Sequence, residues 1–110
     1  MRILANRMAP SVNPELVALA QTRDMMTCIL APMASETHAY NSVMEAIALA
    51  KWDLITQSLG SLVSEMGEKL PLFSRGLLMN LAGELRAGKH ESVAGIARQL
   101  FSYHGSLGLL

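Results

Sequence analysis

The sequence predicts an all-α protein, and three observations support that prediction. Apolar residues recur at helical spacing along most of the chain, as at Leu77, Leu78, Leu81 and Leu85. Proline and glycine stand where these stretches begin and end. No stretch shows the alternation or the β-branched enrichment of a strand. We therefore expect five helices, the last four forming two stacked helix-turn-helix hairpins that the first helix precedes.

Length and composition predict a single domain. The chain has 110 residues, of which 51% are hydrophobic and 16% are charged, against roughly 25% charge in an ordinary soluble domain. Residues 1–12 have no sustained period and contain Pro10, so we expect a flexible N-terminal arm there. Residues 13–110 form the predicted helical-repeat domain. Its low charge suggests that some apolar surface is covered by a partner.

The charge balance and the apolar runs limit the classes of partner. Nine basic and nine acidic residues give a formal net charge of zero, so no field attracts phosphate backbones and nucleic acid is not an expected partner. No apolar run approaches the roughly 20 residues of a membrane-spanning helix. The first residues lack the apolar core of a secretory signal, so we expect a cytoplasmic protein.

The first helix has a strong start signal. Asn13 can cap it, Pro14 suits its first position, and Glu15 lies near the positive end of the helix dipole. We expect the helix to reach about Leu30 and to end before Pro32, because proline lacks an amide hydrogen. Its predicted buried stripe consists of Leu16, Leu19, Ala20, Met26, Ile29 and Leu30.

The second and third helices are separated by a predicted turn at Trp52. Ser35 or Thr37 can cap the second helix, which should last until about residue 50. Asp53 can cap the third helix, and Gly67 should close it. Both helices carry an apolar face at helical spacing, so both should contribute to the core.

The fourth and fifth helices form the second predicted hairpin. The fourth follows Pro71 and ends at Gly88, and the fifth runs from about Glu91 to Tyr103 or His104. The apolar, glycine-broken tail of residues 105–110 should dock on the hairpin. The predicted apolar face of the fifth helix consists of Val93, Ile96, Ala97, Leu100 and Phe101.

An internal repeat links the two hairpins. Residues 50–67 align without a gap on residues 88–105, a shift of 38. Trp52 then falls on His90, Leu59 on Ala97, and Gly67 on Gly105. A period in this range, with two helices in each copy, is typical of an α-solenoid.

The inter-helix turns resemble those of the tetratricopeptide family. Gly88-Lys89-His90 followed by Val93 fits the family's small-spacer-aromatic turn, as does Ala50-Lys51-Trp52. The repeat is longer than the family's 34 residues. Residues 81–100 also resemble the tetratricopeptide-like chaperones of type III secretion needle subunits. This resemblance implies a small cytoplasmic chaperone that holds an aggregation-prone helix.

These observations predict a protein-binding module for an amphipathic helix of a partner. The alternative is a homo-oligomeric or scaffold protein, in which a second copy covers the excess apolar surface. The methionines could belong either to the core or to a binding surface, since flexible thioethers suit both. The predicted partner-binding residues are Tyr40, Met44, Ile47, Trp52, Leu78, Leu81 and Leu85.

No arrangement of residues predicts catalysis, a cofactor or a metal. Cys28 is the only cysteine, which excludes an intramolecular disulfide and a thiolate-rich zinc site. A nucleophile and base could be imagined from Cys28 and one histidine, but a buried thiol beside surface imidazoles explains them better. Glu36, His38, His90 and Glu91 lack the i, i+4 spacing that places two metal ligands on one helix face. We expect a protein that is not an enzyme.

Overall fold

The structure is a computed structural model that describes residues 13–110, so the predicted arm at 1–12 lies outside the described residues. All regular structure within 13–110 is helical, and the all-α prediction is confirmed. The helical segments are α1 (Pro14–Met25), a π-helical turn (Met26–Leu30), α2 (Ala31–Ala34), α3 (His38–Ala48), α4 (Trp52–Met66), a 3-10 turn (Gly67–Lys69), α5 (Leu72–Arg86) and α6 (Ser92–Ser106). The first three of them, α1, the π-helical turn and α2, follow one another without a break and form one continuous helical rod, which we call the first rod. With α3, α4, α5 and α6, this makes five rods in all.

The first rod continues past Pro32, which corrects the predicted end near Leu30. Proline removes one helical hydrogen bond, and its ring clashes with the carbonyl four residues earlier. The π turn relieves that clash by widening the helix: the amide of Ala31 donates to the carbonyl of Met26, five residues back. The first rod therefore changes its hydrogen-bond pattern at the π turn and continues as a helix.

The buried face of α1 also differs from the prediction. Ala18, Thr22 and Met25 are buried, while Leu16 is 62% exposed and Ala20 is exposed. The Thr22 hydroxyl donates to the Ala18 carbonyl at 2.7 Å, which allows a polar side chain to be buried there. The farther part of the predicted stripe is confirmed, since Met26, Ile29 and Leu30 are buried.

The ends of α3 and α4 are fixed by specific contacts. The Thr37 side chain caps α3 by accepting from the Tyr40 amide at 3.0 Å, as predicted. Glu65, near the end of α4, accepts from the amides of His38 and Ala39, so a carboxylate lies at the positive end of α3. Gly67 ends α4 with a φ of 54°, a conformation that favours glycine.

Two other predicted ends need correction. Lys51, not Asp53, is the N-cap residue of α4, and Trp52 is the first helical residue rather than part of the turn. At the other end of the chain, α6 extends to Ser106, beyond the predicted His104. Leu110 is still 52% exposed, so the tail does not bury its last residue as a docked segment would.

The helices pack as a closed array. Along the chain, α3 packs on α4, α4 on α5, and α5 on α6, and α1 packs on both α6 and α3. The core between them is filled by fully buried side chains such as Leu59, Leu62, Leu81 and Leu100. The first helix thus closes the array that the two hairpins leave open. None of the helices within 13–110 is long and apolar enough to cross a bilayer.

The two inter-helix turns meet at one end of this array. The rings of Trp52 and His90, which occupy equivalent positions in the repeat, lie 4.5 Å apart between centroids. The Trp52 indole nitrogen also donates to the Glu15 carboxylate at 3.3 Å. The starts of α1 and α4 and the α5–α6 turn therefore come together at Trp52, which is half-buried.

Candidate protein-binding cleft

Most of the predicted partner-binding residues lie in the core. Met44 and Trp52 are half-buried, and the other five expose 8% of their surface or less. This burial corrects the expectation that these side chains line an open groove, because the closed array packs them against other helices of the same chain. The five buried residues are Tyr40, Ile47, Leu78, Leu81 and Leu85.

The methionines divide between the two roles considered for them. Met25, Met26 and Met66 are buried, and Met33 and Met44 pack against the core while half-buried. Met79 is different, since it is 51% exposed on α5. Most of these thioethers therefore fill the core.

An apolar cleft lies instead between the first rod and α6. Its volume is about 350 Å³. Met25 and Ile29, both nearly fully buried, form its floor. The first wall is completed by Gln21, Asp24 and Cys28, and the second wall consists of Ala94, Ala97, Arg98 and Phe101. We call this the α1–α6 cleft.

The walls of the cleft run in the same direction. A second depression, nearer the chain's start, places Asn13 to Val17 beside Gly88 to Ala94, whereas the cleft places Gln21 to Ile29 beside Ala94 to Phe101. Chain order is the same on both sides, so the first rod and α6 are parallel. Each wall supplies about two helical turns, or roughly 10–12 Å of length at 1.5 Å per residue.

Phe101 is the main exposed apolar group of the cleft. It was predicted on the buried face of α6, but it is 58% exposed. Ala94 and Ala97 on the same wall are half-buried, and their short side chains leave space beside the phenyl ring. One bulky apolar group next to an apolar recess is typical of the centre of a protein interface.

The internal repeat contains a signal for this cleft. Ala97 aligns with Leu59, which is completely buried in the core. The larger leucine fills its site in the first hairpin, whereas the alanine leaves its site open in the second. One position where the repeat loses side-chain volume therefore lies in the wall of the cleft.

The titratable side chains Cys28 and His104 lie in different surroundings. Cys28 is exposed, which corrects the expected burial of its thiol, and its described hydrogen bond is with the Thr27 hydroxyl at 3.9 Å rather than with a histidine. His104 is fully buried, and its Nε2 shares a 2.6 Å hydrogen bond with the Ser74 hydroxyl. Among residues 13–110, no group of three or more His, Cys, Asp or Glu side chains could hold a metal ion.

Burial changes the acid–base behaviour of two groups. Desolvation lowers the pKa of the His104 imidazole below its ordinary value and raises the pKa of the Tyr40 phenol. Both shifts favour the neutral side chain, as expected for core residues. Neither group touches the cleft, so these shifts belong to the stability of the fold.

No family model matches the chain, no curated protein matches it, and no solved structure matches it.

Proposed function

We propose that this chain is a protein-binding module that holds an amphipathic helix of a partner protein in the α1–α6 cleft. The observation that supports this function best is the exposed Phe101 ring beside an apolar recess of about 350 Å³. A hydrophobic groove can bind the apolar face of an amphipathic helix. Two turns of a partner helix, with apolar residues at i, i+4 and i+7, match the length of the walls.

Within this function, a cytoplasmic chaperone for an aggregation-prone helix is the specific role that we favour. It rests on the resemblance of residues 81–100 to the type III secretion needle-subunit chaperones. The cleft adds a site where such a helix could bury its apolar face. Strong net charge is not part of the proposed recognition, because the chain is formally neutral.

Binding of a synthetic peptide tests the proposal. The probe is an 18-residue helical peptide with leucines along one face and alternating glutamate and lysine on the others, labelled for fluorescence anisotropy. We expect saturable binding to the wild-type protein. Phe101→Glu should weaken binding by about tenfold or more, because it places a charge at the centre of the apolar contact.

Met79→Glu is the matched control for this experiment. Met79 has nearly the same exposure as Phe101, 51% against 58%, but it is not among the residues that line the cleft. Its substitution should leave peptide binding unchanged. If both variants lose binding equally, or if neither does, the cleft is not the binding site.

Self-association is the second candidate function, and the same cleft favours it. The Phe101 ring of one copy could enter the recess of another, which would make the face self-complementary. Light scattering separates the two functions. A stable dimer that ignores added helical peptide, and that Phe101→Glu converts to a monomer, would support self-association and reject helix binding.

A further inference from the structure

Two opposite charges stand on the two rims of the α1–α6 cleft. Asp24 belongs to the wall formed by the first rod, and Arg98 belongs to the wall formed by α6. Both side chains are exposed. They also lie at a similar level along the cleft, because Gln21 and Ala94 line both the cleft and the neighbouring depression, and Asp24 and Arg98 follow them by three and four residues on parallel helices.

We propose that Asp24 and Arg98 fix the direction in which a partner helix enters the cleft, and that this partner is an amphipathic helix with acidic residues along one flank and basic residues along the other. The inference rests on the proposed function. A helix in the cleft turns its apolar face to the floor, so its two flanks face the two rims. Turning the helix end for end exchanges its flanks, and therefore exchanges which rim each charge meets.

Electrostatic complementarity then distinguishes the two directions. In one direction, the acidic flank faces Arg98 and the basic flank faces Asp24. In the other, each flank faces a charge of its own sign. A helix with a single sign of charge on both flanks would gain at one rim and lose at the other in either direction. Opposite charges on the rims therefore select a mixed-charge helix and give it a single direction.

The apolar floor alone would not select a direction. Met25 and Ile29 contact whatever apolar face is presented, and the leucines of a regular heptad look alike from either end. Direction matters for a binding module that holds one segment of a longer chain, since it decides where the rest of the partner leaves the cleft. The charges of Asp24 and Arg98 distinguish the two directions of a partner helix, which the apolar floor does not.

Cys28 makes the direction measurable. It is the only cysteine of the chain, it is exposed, and it lines the same end of the cleft as Phe101. Two peptides of identical composition share the leucine face, one with glutamate on the first flank and lysine on the second, the other with the flanks exchanged. Each is made with a cysteine at its amino end or at its carboxyl end. Disulfide formation with Cys28 in a glutathione redox buffer then reports which end lies there.

We expect each peptide to cross-link preferentially through one end, and the peptide with exchanged flanks to prefer the other end. Exposed ion pairs are weak individually, but two pairs change from attraction to repulsion together, so the preference should be about fivefold. The doubly substituted protein Asp24→Lys, Arg98→Glu should reverse the preference of both peptides. The control Lys51→Glu, Glu68→Lys also keeps the net charge, changes exposed residues outside the cleft, and should reverse nothing.

The outcomes separate this inference from the function on which it rests. Binding of both peptides with equal cross-linking from both ends would overturn the directional role and leave helix binding intact. A preference that survives the double substitution would also overturn it. If no peptide binds, or if a dimer of this chain excludes the peptides, the proposed function fails and the inference fails with it.

Discussion

The buried Ser74–His104 pair should contribute measurably to stability, and Ser74→Ala tests that contribution. Both residues are fully buried where the start of α5 packs against the end of α6. Their hydrogen bond is 2.6 Å long, and the other ring nitrogen, Nδ1, has no hydrogen-bond partner among the described residues. Removing the hydroxyl leaves the whole imidazole without a partner in the core.

The expected magnitude follows from the cost of an unpaired buried polar group. That cost is about 1–3 kcal/mol, and a chain of this size loses about 4 °C in Tm per kcal/mol. Ser74→Ala should therefore lower Tm by about 4–12 °C in a thermal melt followed by circular dichroism. Ser61→Ala is the matched control, because the Ser61 hydroxyl is exposed and bonds only to its own helix. It should change the free energy of unfolding by less than about 0.5 kcal/mol.

The double variant Ser74→Ala, His104→Leu provides a second check. It removes both polar partners and replaces the imidazole by an apolar side chain of similar volume, so it should recover much of the stability that Ser74→Ala loses. Two results would contradict this account. Ser74→Ala could lower the free energy of unfolding no more than Ser61→Ala does, or the double variant could lose more free energy of unfolding than the two single variants lose together. Either result would show that the hydrogen bond does not stabilise this site.

The same pair predicts a pH dependence of stability. Burial lowers the pKa of His104 in the folded state, while the unfolded value is about 6.5. Above that pH the imidazole is neutral in both states and the contribution to stability is complete. Below about pH 6.5, the unfolded state binds a proton that the folded state does not, so the free energy of unfolding falls as the pH decreases. The slope is at most about 1.4 kcal/mol per pH unit, and the decrease ends when the pKa of the folded state is reached. Urea unfolding of the wild type and of His104→Leu between pH 7.5 and 5 should show a shallower slope in the variant, and parallel slopes would contradict this account.

Three further predictions concern single positions. Leu85→Glu should destabilise the fold by at least about 3 kcal/mol in urea unfolding, because it places a charge at a position that is 3% exposed; a folded variant of normal stability would show that α5 packs differently. Thr37→Ala should cost about 1 kcal/mol through loss of the α3 cap, and an unchanged Tm would show that Glu65 suffices at that helix end. Gly88→Ala should lower the free energy of unfolding by about 1–2 kcal/mol, because φ is 81° there. Gly83→Ala, in the interior of α5 with open space around the added Cβ, should instead raise it by about 0.5–1 kcal/mol. Equal effects at both glycines would refute the argument from backbone conformation.

The sequence predicted the helices better than it predicted their packing. Local signals decide where a helix starts and stops, so Asn13, Thr37 and Gly67 were assigned correctly as terminal residues. Pro32 misled the prediction because a π turn can absorb a missing amide, and no local pattern announces such a turn. Trp52 was placed in a turn because Asp53 was taken as the cap, whereas the observed N-cap residue, Lys51, makes no side-chain capping hydrogen bond that the sequence could reveal.

The candidate site was predicted less well, for a physical reason. Helical periodicity identifies the apolar face of a helix, but it does not say whether another helix of the same chain covers that face. Leu78 and Leu81 therefore looked like a binding surface and proved to be core, while Phe101 looked like core and is exposed. The missing information was which helices pack on each face: α5, which carries Leu78 and Leu81, packs on both α4 and α6, whereas α1 packs on α6 without covering Phe101.

That position of α1 has a consequence for the order of folding. The contacts among α3, α4, α5 and α6 join neighbours in the chain and can form early, since short loops close at little entropic cost. The contact of α1 with α6 closes a loop of more than half the chain and must wait until α6 has been synthesised. Among the helices of residues 13–110, α1 is thus synthesised first but completes its contacts last, and until α6 is available the part of α1 that packs on α6 remains exposed to other helices.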